Sequence, residues 1–288
     1  MNSKDSNDEE KFPHNNNFKS IVVGNPEKAL FEAIHGENWN KYYRVAMAAL
    51  GSLSWIGAIL SAGATLSAEN EQGDINKLNF LWMKEHEEKL KDVIRILNEV
   101  FEKFKIFGDR IEKRINSEEY MSLVRGTFQR WDKAETLEKK EMFRKLITNA
   151  GGTTIVQDDW VRMFSEWIEQ YNELHFRVIF EIHKRPGITR HDIWMNIKGK
   201  IPTDSSDEAD MFKLLIDDLT RGRVIRQHRE TNSEGRFYKK TPQPKGGNVS
   251  PFMESPFDSK DPYDLTELGS GFVQYVKNEL TPQIEDKK

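Results

Sequence analysis

Charged and apolar positions are unevenly spread along this chain: Val45 to Ala68 carries no ionisable side chain, while charge is dense on both sides. The surrounding pattern is helical from about Asn25. PEKALFEAIHG puts Pro26 in a first turn and closes at Gly36. A second helix is predicted from about Asn40 to Ala68, and Asp74 caps a third reaching about Ile115. Along the third, Leu90, Ile94, Leu97, Phe101, Phe104, Gly108, Ile111 and Ile115 alternate spacings of four and three, the seam of a coiled coil or long bundle. Val93, Ile96, Val100 and Phe107 widen that face towards a second neighbour. Asn116-x-x-Glu119 predicts a capped helix to about Trp131, and another spans Thr136 to Ala150, stopped by Gly151-Gly152. A sixth helix is expected from Asp158 to His183, with Trp160, Phe164, Trp167, Tyr171, Leu174, Val178 and Ile182 at helical spacing. Core packing explains this aromatic row better than a binding stripe does. There is no internal repeat of solenoid length.

After KRPG, residues 184–187, the pattern changes. Thr189 opens the short helix HDIWMNIKG, closed by Gly199, and Ser205-Ser-Asp-Glu208 opens ADMFKLLIDDLTRG, closed by Gly222. RVIRQHR, the turn TNSEG and RFYKKT then read as a β-hairpin. A Pro-rich loop from Pro242 to Pro262 leads to YDLTELGSGFVQYVKNEL, an extended piece and a closing helix. This order of three helices, hairpin and helix, with LLIDDLTRGRVI running into the hairpin, resembles a winged helix-turn-helix domain. The resemblance covers about residues 158–281 and implies a fold more than an activity.

In that fold the third helix enters the major groove. Here it would present Asp207, Glu208, Asp210, Asp217 and Asp218 against Lys213, a face that phosphates repel. The hairpin region is the reverse: Arg221, Arg223, Arg226, His228, Arg229, Arg236, Lys239, Lys240 and Lys245 face only Glu230 and Glu234 in sequence. Regular strand alternation puts Arg223 and Arg229 opposite Arg226, splitting the cations between two faces. A wing gripping nucleic-acid backbone, a solvated hairpin and a docking site for an acidic protein partner all remain open.

The uncharged run of about 24 residues is long enough for a bilayer core, but its serines and glycines dilute it. Gly51, Ser54, Ala58, Ser61, Thr65 and Ala68 recur every three or four residues, a seam of small side chains on which another helix can pack closely. Lys41 and Arg44 before the run and Glu69, Glu71 and Asp74 after it would send the C-terminal part outward, a poor destination for a winged-helix-like module. The interior of a bundle is the first reading. A helix stored in the bundle and released into a membrane on a trigger is the second, and a permanent span the third.

Composition narrows the function classes. The 288 residues hold 43 Lys and Arg against 47 Asp and Glu, for a net charge of −4, so any attraction to polyanions must be local. Cysteine is absent, which removes disulfides and thiolate chemistry. The start, MNSKDSNDEEKFPHNNNF, reads as a polar tail and not a signal peptide, so a cytoplasmic location is expected, with membrane association under the second reading. No phosphate-binding, nucleophile-elbow or zinc-protease pattern occurs. His175 and His183 lie about two helical turns apart, too far for one metal ion unless His191-Asp192 folds back to them.

The expectation is therefore a mainly α protein. It has a tail to residue 24, a helical bundle with a coiled-coil-like seam at 25–157, a winged-helix-like domain with a small β-hairpin at 158–281, and a short tail. It reads as a non-enzymatic binding or regulatory protein without cofactor or metal. It is expected to self-associate and to contact a protein or nucleic-acid backbone, the alternative being a toxin- or defence-type effector that inserts conditionally into a membrane.

Overall fold

The computed structural model describes residues 39–58, 73–229, 232–234, 236, 255–257, 262–278 and 280, and of residues 39, 40, 73–85 and 87 the backbone alone. The helix predicted at 26–36, and with it Ser61, Thr65, Lys239 and Lys240, falls outside these. The protein is mainly helical, with a small three-stranded antiparallel sheet. It divides into two compact units, Met1–Asp132 and Lys133–Lys288.

In the N-terminal unit, α1 (Trp39–Gly51) packs along α4 (Glu118–Asp132). The long α2 (Gly73–Phe107) buries both rows picked out by the sequence, Leu90, Ile94, Leu97, Phe101 and Phe104 together with Val93, Ile96, Val100 and Phe107. Tyr42 of α1 stacks on Phe101 with ring centroids 5.0 Å apart. The helix does not run to Ile115. Gly108 adopts φ 71°, a 3-10 turn covers Asp109–Ile111, and α3 (Glu112–Ile115) follows. Without a Cβ, Gly108 takes this left-handed backbone at no steric cost, so it ends the helix instead of joining the seam. The next cap is Ser117, whose Oγ accepts from Tyr120 N at 3.2 Å, while Asn116 bonds back to the Glu112 carbonyl.

The uncharged run is not one helix. It breaks after Gly51, where Ser52 Oγ donates to the Ala49 carbonyl at 2.6 Å and Leu53 leaves helical geometry, and helix resumes at 54–58. A serine that satisfies the last turn's carbonyl competes with helix continuation. Leu50, Leu53, Trp55 and Ile56 are buried, and Trp55 Nε1 donates to Asp132 at 2.9 Å. Gly51, Ser54 and Ala58 are exposed, so in the described part the large side chains, not the small ones, face the protein. Among the described residues no helix is long and apolar enough to cross a membrane.

The C-terminal unit begins with α5 (Leu137–Gly152), capped by Thr136. This helix, grouped with the bundle in the sequence reading, packs here on α6 (Asp158–Gln170) and on the closing helix α10 (Glu267–Lys277). It continues through Gly151-Gly152, both buried, to its C-cap Thr153. The anticipated helix 158–183 is two helices. Tyr171 is extended, and Asn172 caps α7 (Glu173–Lys184) with its side chain accepting from Leu174 N and His175 N. Asn149, 2% exposed, ties down the chain end: its Nδ2 donates to the carbonyls of Tyr275 and Asn278, and its Oδ1 accepts from Leu280 N.

Next come β1 (Ile188–Thr189), α8 (Arg190–Lys198), α9 (Asp207–Arg221), β2 (Ile225–Gln227) and β3 (Pro262–Leu265), in sheet order β1-β3-β2. The second strand of the expected hairpin, RFYKKT, lies outside the described residues apart from Arg236; among the described residues β2 has a long-range partner. Ile225, Arg226 and Gln227 pair with Leu265, Asp264 and Tyr263. In the segment after β2, Ser233 and Glu234 form a turn, with Asn232 N donating to the Arg236 carbonyl at 2.9 Å. The connection is pinned near its end by Phe257, whose ring lies 5.4 Å from both Phe212 of α9 and Trp194 of α8.

Candidate functional site

The end of α9 and the two strands it feeds form a cleft of about 450 Å³. Arg190, Ile216, Asp217, Thr220, Arg223, Ile225, Arg226, Gln227, Arg229, Tyr263 and Thr266 line it. Three of the arginines expected at the hairpin thus meet on one concavity, where strand alternation had divided them. The reason is the shortness of β2: Arg223 precedes it and Arg229 follows it, so neither obeys its two-residue period. Arg221 and Arg236 do not line the cleft, and Arg236 pairs with Glu234 at 3.4 Å.

The sequence reading missed Arg190, whose only local signal was its place after the cap Thr189. It starts α8, and Tyr263 holds it across the sheet. Arg190 Nε donates to the Tyr263 hydroxyl at 2.9 Å, Nη2 donates to the same oxygen, and the guanidinium carbon lies 5.3 Å from the ring centroid. Four arginines therefore face one carboxylate, Asp217, among the described lining residues. The neighbouring Asp264 is engaged elsewhere, accepting from Gly187 N at 2.9 Å and contacting His228 Nδ1 at 2.6 Å.

The backbone beneath the cleft is tightly set. Gly222 was expected to close α9 and does so, but in right-handed geometry. A Cβ there would fall 2.3 Å from the Tyr171 hydroxyl, so close packing requires the glycine. The positive φ passes to Arg223, at 59°. The Thr266 hydroxyl, which also caps α10, donates to the Arg223 carbonyl at 2.6 Å. Below, Tyr171 has its hydroxyl pKa pushed up to about 12 by burial and, second, by Asp218.

The outward face of α9 is acidic, as the sequence implied: Asp207, Glu208, Asp210 and Asp217 are exposed, with Met211 and Leu214 between them at 37% and 59% exposure. Among the described residues no three potential ligands gather to hold a metal ion, and His175 is occupied by Asn172. Compared with known proteins, the chain matches no family model, no curated protein and no solved structure. What the cleft can bind follows from its chemistry. Arginines lining one cleft bring planar donor forks and positive charge to it, a composition that suits phosphate oxygens.

Proposed function

We propose that this chain is a non-enzymatic binding protein whose C-terminal unit acts as a winged-helix-like module gripping nucleic-acid backbone without reading bases. The convergence of Arg190, Arg223, Arg226 and Arg229 on one cleft carries this reading. The winged-helix-like element order is supported by the helices α7, α8 and α9, the small sheet, and the strand β3 that leads straight into α10. The acidic face of α9 argues for backbone contact beside that helix rather than groove entry by it. The helical N-terminal unit is assigned self-association or docking.

The test is fluorescence anisotropy of the full chain with labelled single-stranded and duplex DNA across a salt series. Four phosphate contacts give a slope of log K against log salt of about −3 to −4. Arg226→Glu/Arg229→Glu should weaken both ligands strongly and flatten the slope. Absence of binding at low salt overturns the nucleic-acid reading.

A further inference from the structure

The four arginines are not equivalent. Arg226 and Arg229 are exposed side chains on or beside β2, the outer strand of the sheet among the described residues. Arg190 has its guanidinium fixed by the hydroxyl and ring of a tyrosine that is itself 2% exposed. Arg223 has its backbone fixed in a conformation that L-residues avoid, at φ 59°. Three bonds hold it there: Arg223 N donates to the Thr220 carbonyl at 3.1 Å, Val224 N to Leu219 at 2.9 Å, and the Thr266 hydroxyl to the Arg223 carbonyl. Gly222 precedes it, where an added Cβ would fall 2.3 Å from the Tyr171 hydroxyl.

A glycine at 223 would adopt this backbone freely, and the side chain present is exposed and adds nothing to the core. The bonds from Arg223 N and Val224 N are the Schellman pattern that closes α9, so the positive φ serves the helix end; the exposed arginine placed there, beside a second cation clamped by a buried tyrosine, adds its charge to the cleft. We propose that Arg190 and Arg223 form a preorganised oxyanion seat in the cleft that takes a single phosphate group. Arg226 and Arg229 contribute screened, adaptable charge around it. This deepens the nucleic-acid reading and rests on the same cleft. The phosphate can belong to a phosphodiester backbone or to a free phosphorylated ligand.

The experiment uses the full chain, its Arg223→Gly variant and an Arg221→Gln control, which removes an exposed arginine outside the cleft. Each is titrated with sodium tripolyphosphate by calorimetry and with single-stranded DNA by anisotropy, and each is melted without ligand. Loss of a bidentate charged contact should weaken binding by about tenfold or more in Arg223→Gly. Its Tm should hold or rise by about 2 °C as strain is relieved. Arg221→Gln should bind as the parent does.

Tripolyphosphate binding without DNA binding, still lost in Arg223→Gly, upholds the seat and removes the nucleic-acid reading. The seat is overturned if Arg223→Gly binds like the parent, if Arg221→Gln loses as much, or if neither ligand binds. A fall in the Tm of Arg223→Gly also overturns it, since the side chain would then be structural.

Discussion

Arg190 and Tyr263 are joined by hydrogen bonds from Nε, at 2.9 Å, and from Nη2 to the phenolic oxygen, and by the contact of the guanidinium with the ring. Tyr263 sits in the middle strand, paired with Ile188 on one side and Gln227 on the other, so its own position is fixed. Holding a long side chain in one rotamer before binding removes an entropic cost of about 0.5–1.5 kcal/mol.

Tyr263→Phe keeps the ring and the charge of Arg190 but removes the acceptor. Affinity for DNA should fall about three- to tenfold, as expected when that rotamer must be ordered on binding. The salt slope should stay the same, because the number of cations meeting phosphates is unchanged. The free protein should lose about 1.5 kcal/mol of stability, the worth of a hydrogen bond to a charged group. Anisotropy and urea unfolding check both parts. A flattened slope would mean that the hydroxyl positions Arg190 in a way the ring cannot.

The glycines give a second prediction, because they separate true close approaches from apparent ones. A Cβ on Gly269 would lie 2.1 Å from the Val224 carbonyl oxygen and 3.1 Å from its carbon, both backbone atoms. That carbonyl also accepts from Thr266 N at 3.0 Å, so it cannot move without loosening the start of α10. Gly269→Ala should cost about 3 kcal/mol in urea unfolding, the upper range for overpacking. It should also weaken DNA binding, since Val224 adjoins Arg223. Gly51 belongs to the predicted small-residue seam, yet has nothing within 4 Å of an added Cβ. Gly51→Ala should be neutral or stabilise by about 0.5 kcal/mol. Equal costs at the two sites would return Gly51 to a helix-packing role.

Local chemistry was legible at several places where the chain itself decided the outcome. Thr136 and Thr189 accept from backbone N–H groups three residues on, and Ser206 does the same one residue after the predicted capping start. Gly199 ends α8 at φ 77°. The apolar rows of α2 are buried as their spacing implied. One failure was itself local: 158–183 breaks where Asn172 and His175 form a reciprocal cap, a device the sequence reading passed over because His replaces the usual Glu or Gln. The other was set by tertiary partners. The strand expected across TNSEG lies outside the described residues apart from Arg236, and the partner that β2 has among them, more than thirty residues later at Tyr263, Asp264 and Leu265, carries no local signal. That pairing also brings Tyr263 to Arg190 and draws the arginines together. The site was invisible for the same reason that the sheet was.

The same cap yields a pH dependence. His175 is 7% exposed and stacked on Tyr171, with ring centroids 4.9 Å apart. Its Nδ1 accepts from Asn172 N at 3.3 Å, which leaves Nε2 to carry the proton of the neutral ring, 3.7 Å from Asp218 Oδ2. Burial lowers its pKa below the ordinary histidine value of about 6.5, the Asp218 carboxylate opposes this, and Lys139 adds a small lowering. The unfolded chain therefore binds this proton more readily than the folded one. Stability is complete above the unfolded pKa and is lost as pH falls through about 6.5, levelling off only below the depressed folded value. Glutamine at the third helical position can reach back to the cap N–H as His175 does, without titrating. In His175→Gln the cap should survive, and urea midpoints measured from pH 7.5 to 5 should decline less steeply than in the parent. His183, whose pKa is also lowered by burial and by Lys277, remains in both proteins and cancels in the comparison. Parallel declines would show that His175 is not the group whose protonation opens this cap.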